Sequence, residues 1–207
     1  MNISKQKELI KRVDFSAELH GSFDHFDAHL IGGNLIILSG PQEHASIRVQ
    51  WKENEHRSLP KFFIEHNRLK LESKSLKAFI GQKNAYVIEV TLPKETNITI
   101  KMFAGVIYLE DVTGNLNVSL KAGEISGYLS GKNIKANIWA GDIKFNFHDL
   151  SKDSKINLTC SLGDIILHFP EGTLLNLQSG KTKVAKIENV YNAEITAKTT
   201  LGDVSII

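Results

Sequence analysis

The sequence predicts an all-β protein built as a β-solenoid, and three observations predict it. First, a short phrase recurs through residues 103–207 as AGVI, AGEI, AGDI, LGDI, SGKT and LGDV. It is anchored on Gly105, Gly123, Gly141, Gly163, Gly180 and Gly202, at intervals of 18, 18, 22, 17 and 22 residues. A mean period of about 19 residues marks a chain of stacked repeats. Second, both halves of each repeat alternate apolar and polar residues with period two, the mark of half-buried strands. Third, turn residues such as Thr113-Gly114 and Ser130-Gly131-Lys132-Asn133 separate the halves.

Within the regular coils each position has a task. Two residues after the glycine stand Ile107, Ile125, Ile143, Ile165, Thr182 and Val204. All are β-branched, the stiff class that packs well on a pleated surface. Each glycine reads as the opening of a strand after a bend, where backbone approach excludes a Cβ. The other half-repeat is a second strand: Leu116, Val118 and Leu120, then Ile134, Ala136 and Ile138, then Ile156, Leu158 and Cys160. One such repeat cannot bury its apolar side alone, whereas stacked repeats can.

The chain before these coils is β but less regular. Ser4–Arg12 reads as a short capping helix or a tail, with Ser4 as N-cap. Strands are expected near 14–19, 26–30, 34–38, 46–51, 61–65, 68–73 and 85–92, followed by 97–103. His66-Asn67 is a tight corner between two of them, with Asn67 able to adopt a left-handed conformation. The polar run Lys52–Pro60 is a longer loop. With no composition shift to divide the chain, residues 13–207 are expected to form a single solenoid domain, irregular over 13–102 and regular over 103–207.

The order of features resembles the bacterial putative-adhesin family of unknown function. The matching residues are the VIEVTLP run (Val87–Pro93), then AGVI at Ala104, AGEI at Ala122, AGDI at Ala140 and LGDI at Leu162, with the last strand ending in Phe169-Pro170-Glu171-Gly172. The resemblance covers residues 14 to 207 and implies a right-handed β-helix-like fold. It implies no catalytic residues.

Composition narrows the function classes. Apolar residues at 42% and charged residues at 23% suit a folded globular chain of one domain or two small ones. A net charge of +2 is too weak to imply a nucleic-acid partner. No stretch is long and apolar enough for a membrane span, and Met1–Arg12 has no apolar signal core. The single cysteine, Cys160, falls on the apolar side of its strand as a core residue. Together these point to the cytoplasm.

Three constellations carry residue types suited to chemistry. The acidic residues after the repeat glycines, Glu124, Asp142, Asp164 and Asp203, could share a hard cation if stacked. Val106 and Lys181 occupy the same column, so charge compensation on a solvated turn fits better. His20, His25, Asp27 and His29 include types that zinc accepts, yet residues four apart on a strand lie about 13 Å apart. His148, Asp149, Asp153 and His168 read as loop and surface charges. No catalytic residue, metal site or cofactor is therefore expected, and the chain is read as a non-enzyme.

What remains is a surface for contact. Tyr108 and Trp139 face outward by alternation, and Lys121, Lys132, Lys135 and Lys144 could form a basic strip. The final strand ends on Val204, Ile206 and Ile207 without a polar cap, which leaves an edge for another chain. The sequence thus points to a self-associating scaffold or protein-interaction module, expected as a homo-oligomer. The alternative is a module that binds a polysaccharide or another polymer on its outer face.

Overall fold

The computed structural model describes residues 12–20, 23–40, 44–52, 60–73, 86–130, 132–148, 150, 153–170, 176–178, 182–186 and 193–207. The regular structure in these residues is β-strand throughout, and most of the pairing is parallel. The expected helix over Ser4–Arg12 lies outside the described residues except for Arg12, which begins a strand. The Lys52–Pro60 loop is likewise outside them between residues 53 and 59.

At the centre lie three long strands, β7 (Asn97–Val112), β8 (Leu116–Leu129) and β9 (Asn133–Phe147). They pair in parallel and in register, with Gly105 opposite Gly123 and Gly123 opposite Gly141. In these three layers the glycine therefore does not open a strand but sits inside one, whereas Gly163 and Gly202 lie in the break just before β11 and β15. The physical reason lies in the burial pattern. In β8, Leu116, Val118 and Leu120 are buried before the glycine and Ile125 and Leu129 after it, so the inward set switches from even to odd numbers. A glycine at φ 135°, as at Gly105 and Gly123, turns the chain there while neighbouring layers keep their hydrogen bonds. Each layer is thus two arms joined at a glycine corner.

The N-terminal part holds β1 (Arg12–Leu19), β2 (His25–Gly40), β3 (Ala45–Lys52), β4 (Lys61–Glu65), β5 (Arg68–Glu72) and β6 (Val87–Pro93). β2 is itself a full layer of the ladder. It pairs in parallel with β7, His25 opposite Asn97 and Gly33 opposite Gly105, so Gly33 is the first corner glycine. The two stretches 26–30 and 34–38 are accordingly one strand. On its other side β2 pairs in parallel with β5 through one arm and with β6 through the other. The antiparallel hairpin β4–β5 turns at His66 and Asn67, both left-handed at φ 49° and 60°. β3 lies antiparallel on β6, and β1 antiparallel on β3.

Beyond β9 the layer splits at its glycine into β10 (Lys155–Leu162) and β11 (Ile165–His168). The next layer is β14 (Glu194–Leu201) with β15 (Val204–Ile206), stacked in parallel on them. Gly163 therefore meets Gly202 directly. The SGKT phrase does not supply a layer of its own. Gly180 and Lys181 lie outside the described residues, and β13 (Thr182–Lys186) runs antiparallel to β14 with Thr182 opposite Lys198. β12 (Asn176–Gln178) extends this antiparallel edge. Alternation reports which residues share a face; it is silent on strand direction.

Inward residues of both arms form one apolar core running from Phe26 to Val204. Removing such side chains from water stabilises the fold by roughly 1.5–3 kcal/mol each.

Candidate functional site

In-register stacking converts recurring residues into columns. The most developed one heads the first arms. Asn115 Nδ2 donates to Asn97 Oδ1 at 2.7 Å, and Asn133 Nδ2 donates to Asn115 Oδ1 at 2.7 Å. Asn97 Nδ2 in turn donates to the carbonyl of Asp24 at 3.4 Å. Lys155 continues the column opposite Asn133. Two residues on, Asn117 and Lys135 stand opposite each other on the outward face. These side chains line an open groove of about 450 Å³. At its end, His25 Nδ1 lies 2.6 Å from Asp24 Oδ1, and this hydrogen bond is the main cause holding the Asp24 carboxyl below the usual carboxylate range.

The apolar pattern of the sequence does not single out this groove. A signal for it existed: Asn97, Asn115 and Asn133 recur at 18-residue intervals, the same step as Gly105, Gly123 and Gly141.

The acidic column at the glycine corner has a structural explanation. Asp142 Oδ1 accepts the backbone N–H of Asp164 at 3.0 Å, and Asp164 Oδ1 accepts that of Asp203 at 2.8 Å. Each carboxylate thus holds the corner of the following layer. Asp164 and Asp203 meet directly, in consecutive layers. The compensating cation is Lys144, with Nζ 2.7 Å from Glu124 and 3.5 Å from Asp142. Among the described residues, no group of three or more His, Cys, Asp or Glu side chains is placed to hold a metal ion.

The histidine set follows the expected alternation without converging. Phe26, Ala28 and Leu30 are buried, while His25 and Asp27 are half-buried and His29 is exposed. Asp27 is bound by Arg68 at 3.1 Å. His148 stacks on Tyr128 with ring centroids 5.1 Å apart. Asp149 lies outside the described residues; Asp153 and His168 are exposed.

The proposed contact residues separate into two kinds. Trp139 is 58% exposed, on the outer side of its corner, in the same column as Phe103, also exposed. Tyr108 is only half-buried rather than open, and burial first, then the charge of Glu110, pushes its phenol upward. On the last strand Val204 is buried, Ile206 is half-buried against the core, and Ile207 is 70% exposed.

Columned, glycine-cornered layers and a groove lined by amides and lysines define an all-β protein whose outer surface repeats from layer to layer. No family model matches the chain, and no curated protein matches it. Solved structures do. The fold matches that of a putative cell adhesion protein from Clostridium sporogenes with a TM-score of 0.59 and 14% identity, over 95% of this chain and 99% of that one. A putative adhesin from Bacteroides fragilis aligns over 95% and 97% of the two chains, with a TM-score of 0.42 and 15% identity. Across nearly its whole length the chain thus shares the fold of the Clostridium protein, a putative cell adhesion protein, in keeping with the resemblance its sequence motifs carry.

Proposed function

We propose that this chain is a non-enzymatic, adhesin-like β-solenoid that acts as a self-associating scaffold or protein-interaction module. Two-armed layers stacked through six corner glycines, from Gly33 to Gly202, support the solenoid reading. Similarity of fold to a putative cell adhesion protein supports the non-catalytic one.

The observation that carries self-association is the apolar surface of the last layer. β14 and β15 stack on β10 and β11, and this layer carries Leu201 and Ile207, 65% and 70% exposed. Large apolar side chains grouped on an outer layer favour burial against a second chain, and two copies meeting through the same patch form a closed two-fold dimer.

Light scattering behind size exclusion, over a range of concentrations, tests this. The dimer reading expects a mass that rises with concentration and falls to the monomer's in Ile207→Lys, a substitution at an exposed position that leaves the core intact. A monomer at every concentration contradicts it.

A further inference from the structure

The asparagine column does more than tie layers together. A carboxamide has two N–H donors and one acceptor oxygen. The ladder occupies the oxygens of Asn97 and Asn115 and one N–H each of Asn97, Asn115 and Asn133, which leaves every amide a second N–H to offer. It thereby converts neutral amides into a row of outward donors, repeated at each layer, roughly 4.8 Å apart. Asn117 adds a further amide, and Lys135 and Lys155 add two ammonium groups that have no ion-pair partner among the described residues. None of the described residues lining the groove is acidic. The next layer places Glu194 opposite Lys155 and so bounds the donor-rich run at that end.

We propose that this groove binds a linear acidic glycan lying along the stacking axis, with carboxylates on Lys135 and Lys155 and ring hydroxyls on the row of amides. A donor-rich surface selects a ligand rich in acceptor oxygens, and charge-assisted bonds to carboxylates are the stronger ones. Repetition at every layer suits a polymer, since a small ligand would engage one layer only. Single-stranded nucleic acid fits less well, because it requires stacking platforms along a strongly basic channel. Here His25 is the only ring among the described lining residues, and the chain's net charge is +2. An extended peptide adding to a sheet draws affinity from main-chain pairing at an edge, whereas this groove offers side chains.

Affinity electrophoresis through gels containing polygalacturonate, with calorimetry on an oligogalacturonate, tests the proposal. The groove reading expects the chain to be retarded, and expects neutral dextran and a single-stranded oligonucleotide to bind far more weakly. Removing both ammonium groups in the Lys135→Ala, Lys155→Ala double variant lowers affinity at least about tenfold. Asn115→Ala, which cuts both ladder bonds, also weakens binding while thermal melting confirms its fold; Lys94→Ala, on an exposed turn outside the groove, does not. No binding of oligogalacturonate, unchanged affinity in the double variant, or tighter binding of the oligonucleotide overturns the proposal.

Discussion

Gly123 lies directly against Gly105: a Cβ built on Gly123 falls well inside 3.0 Å of the Gly105 carbonyl oxygen. Gly123 also holds φ 135°, a conformation that residues with a side chain rarely adopt. Strain and overlap with rigid backbone therefore act together, since the carbonyl cannot rotate aside without breaking the parallel ladder. Gly123→Ala is expected to destabilise the fold by about 3 kcal/mol or more. Urea unfolding measures it, with Ser119→Ala, an exposed neighbour on the same strand, as the near-neutral control.

Lys144 couples two layers through Glu124 and Asp142. Its ammonium is held above the usual lysine range, first by the hydrogen bond to Glu124 and, against the pull of burial, by the charges of Glu124 and Asp142. A raised folded-state value means the stabilisation is complete below the unfolded lysine's pKa, about 10.4, and is lost as pH rises through the folded value. All three side chains are more than a third exposed, so the contribution is under about 1 kcal/mol. The Tm difference between the native chain and Lys144→Met should be small and constant from neutral pH to about 9.5, then shrink above about 10.5. A difference that grows with alkalinity contradicts this account.

Cys160 is fully buried, its thiol donates to the Gly141 carbonyl at 3.2 Å, and burial pushes its pKa up. Because the thiolate is the reactive form, Ellman's reagent should leave the folded chain unmodified and titrate one equivalent in denaturant. Rapid modification of the native protein would show that the first arm opens near its glycine corner.

Much of the architecture is legible in the sequence because stacking repeats what it uses. Gly105, Gly123 and Gly141 announce the corners through a fixed step, and the β-branched residues two places later mark the arm that follows. Gly33 carries the same signature, with Leu35 and Ile37 at the corresponding offsets, but 72 residues separate it from Gly105. The intervening strands β3 to β6 complete the layers on the far side of β2 before the chain returns. Gly180 fails for the opposite reason. Thr182 and Val184 alternate correctly, yet antiparallel and parallel strands alternate alike, and only the register with Lys198 and Thr196 shows the direction. The groove depends on which outward residues stack. The sequence holds that information in the step from Asn97 to Asn115 to Asn133, outside the apolar pattern that reveals strands.

The central claim is that the molecule is a stack of equivalent layers, each held by its neighbours. Excising residues 97–114 tests it most directly, because Asn115 then follows Thr96 and inherits the place of Asn97. Gly33 would meet Gly123, Leu35 would meet Ile125, and Gly127 would stay beside Phe145, whose ring is fully buried. In a stack with nearest-neighbour coupling the shortened chain keeps its β circular dichroism and a cooperative urea transition, at somewhat lower stability. A chain that loses its β signal, or unfolds without a transition, would contradict the layered account.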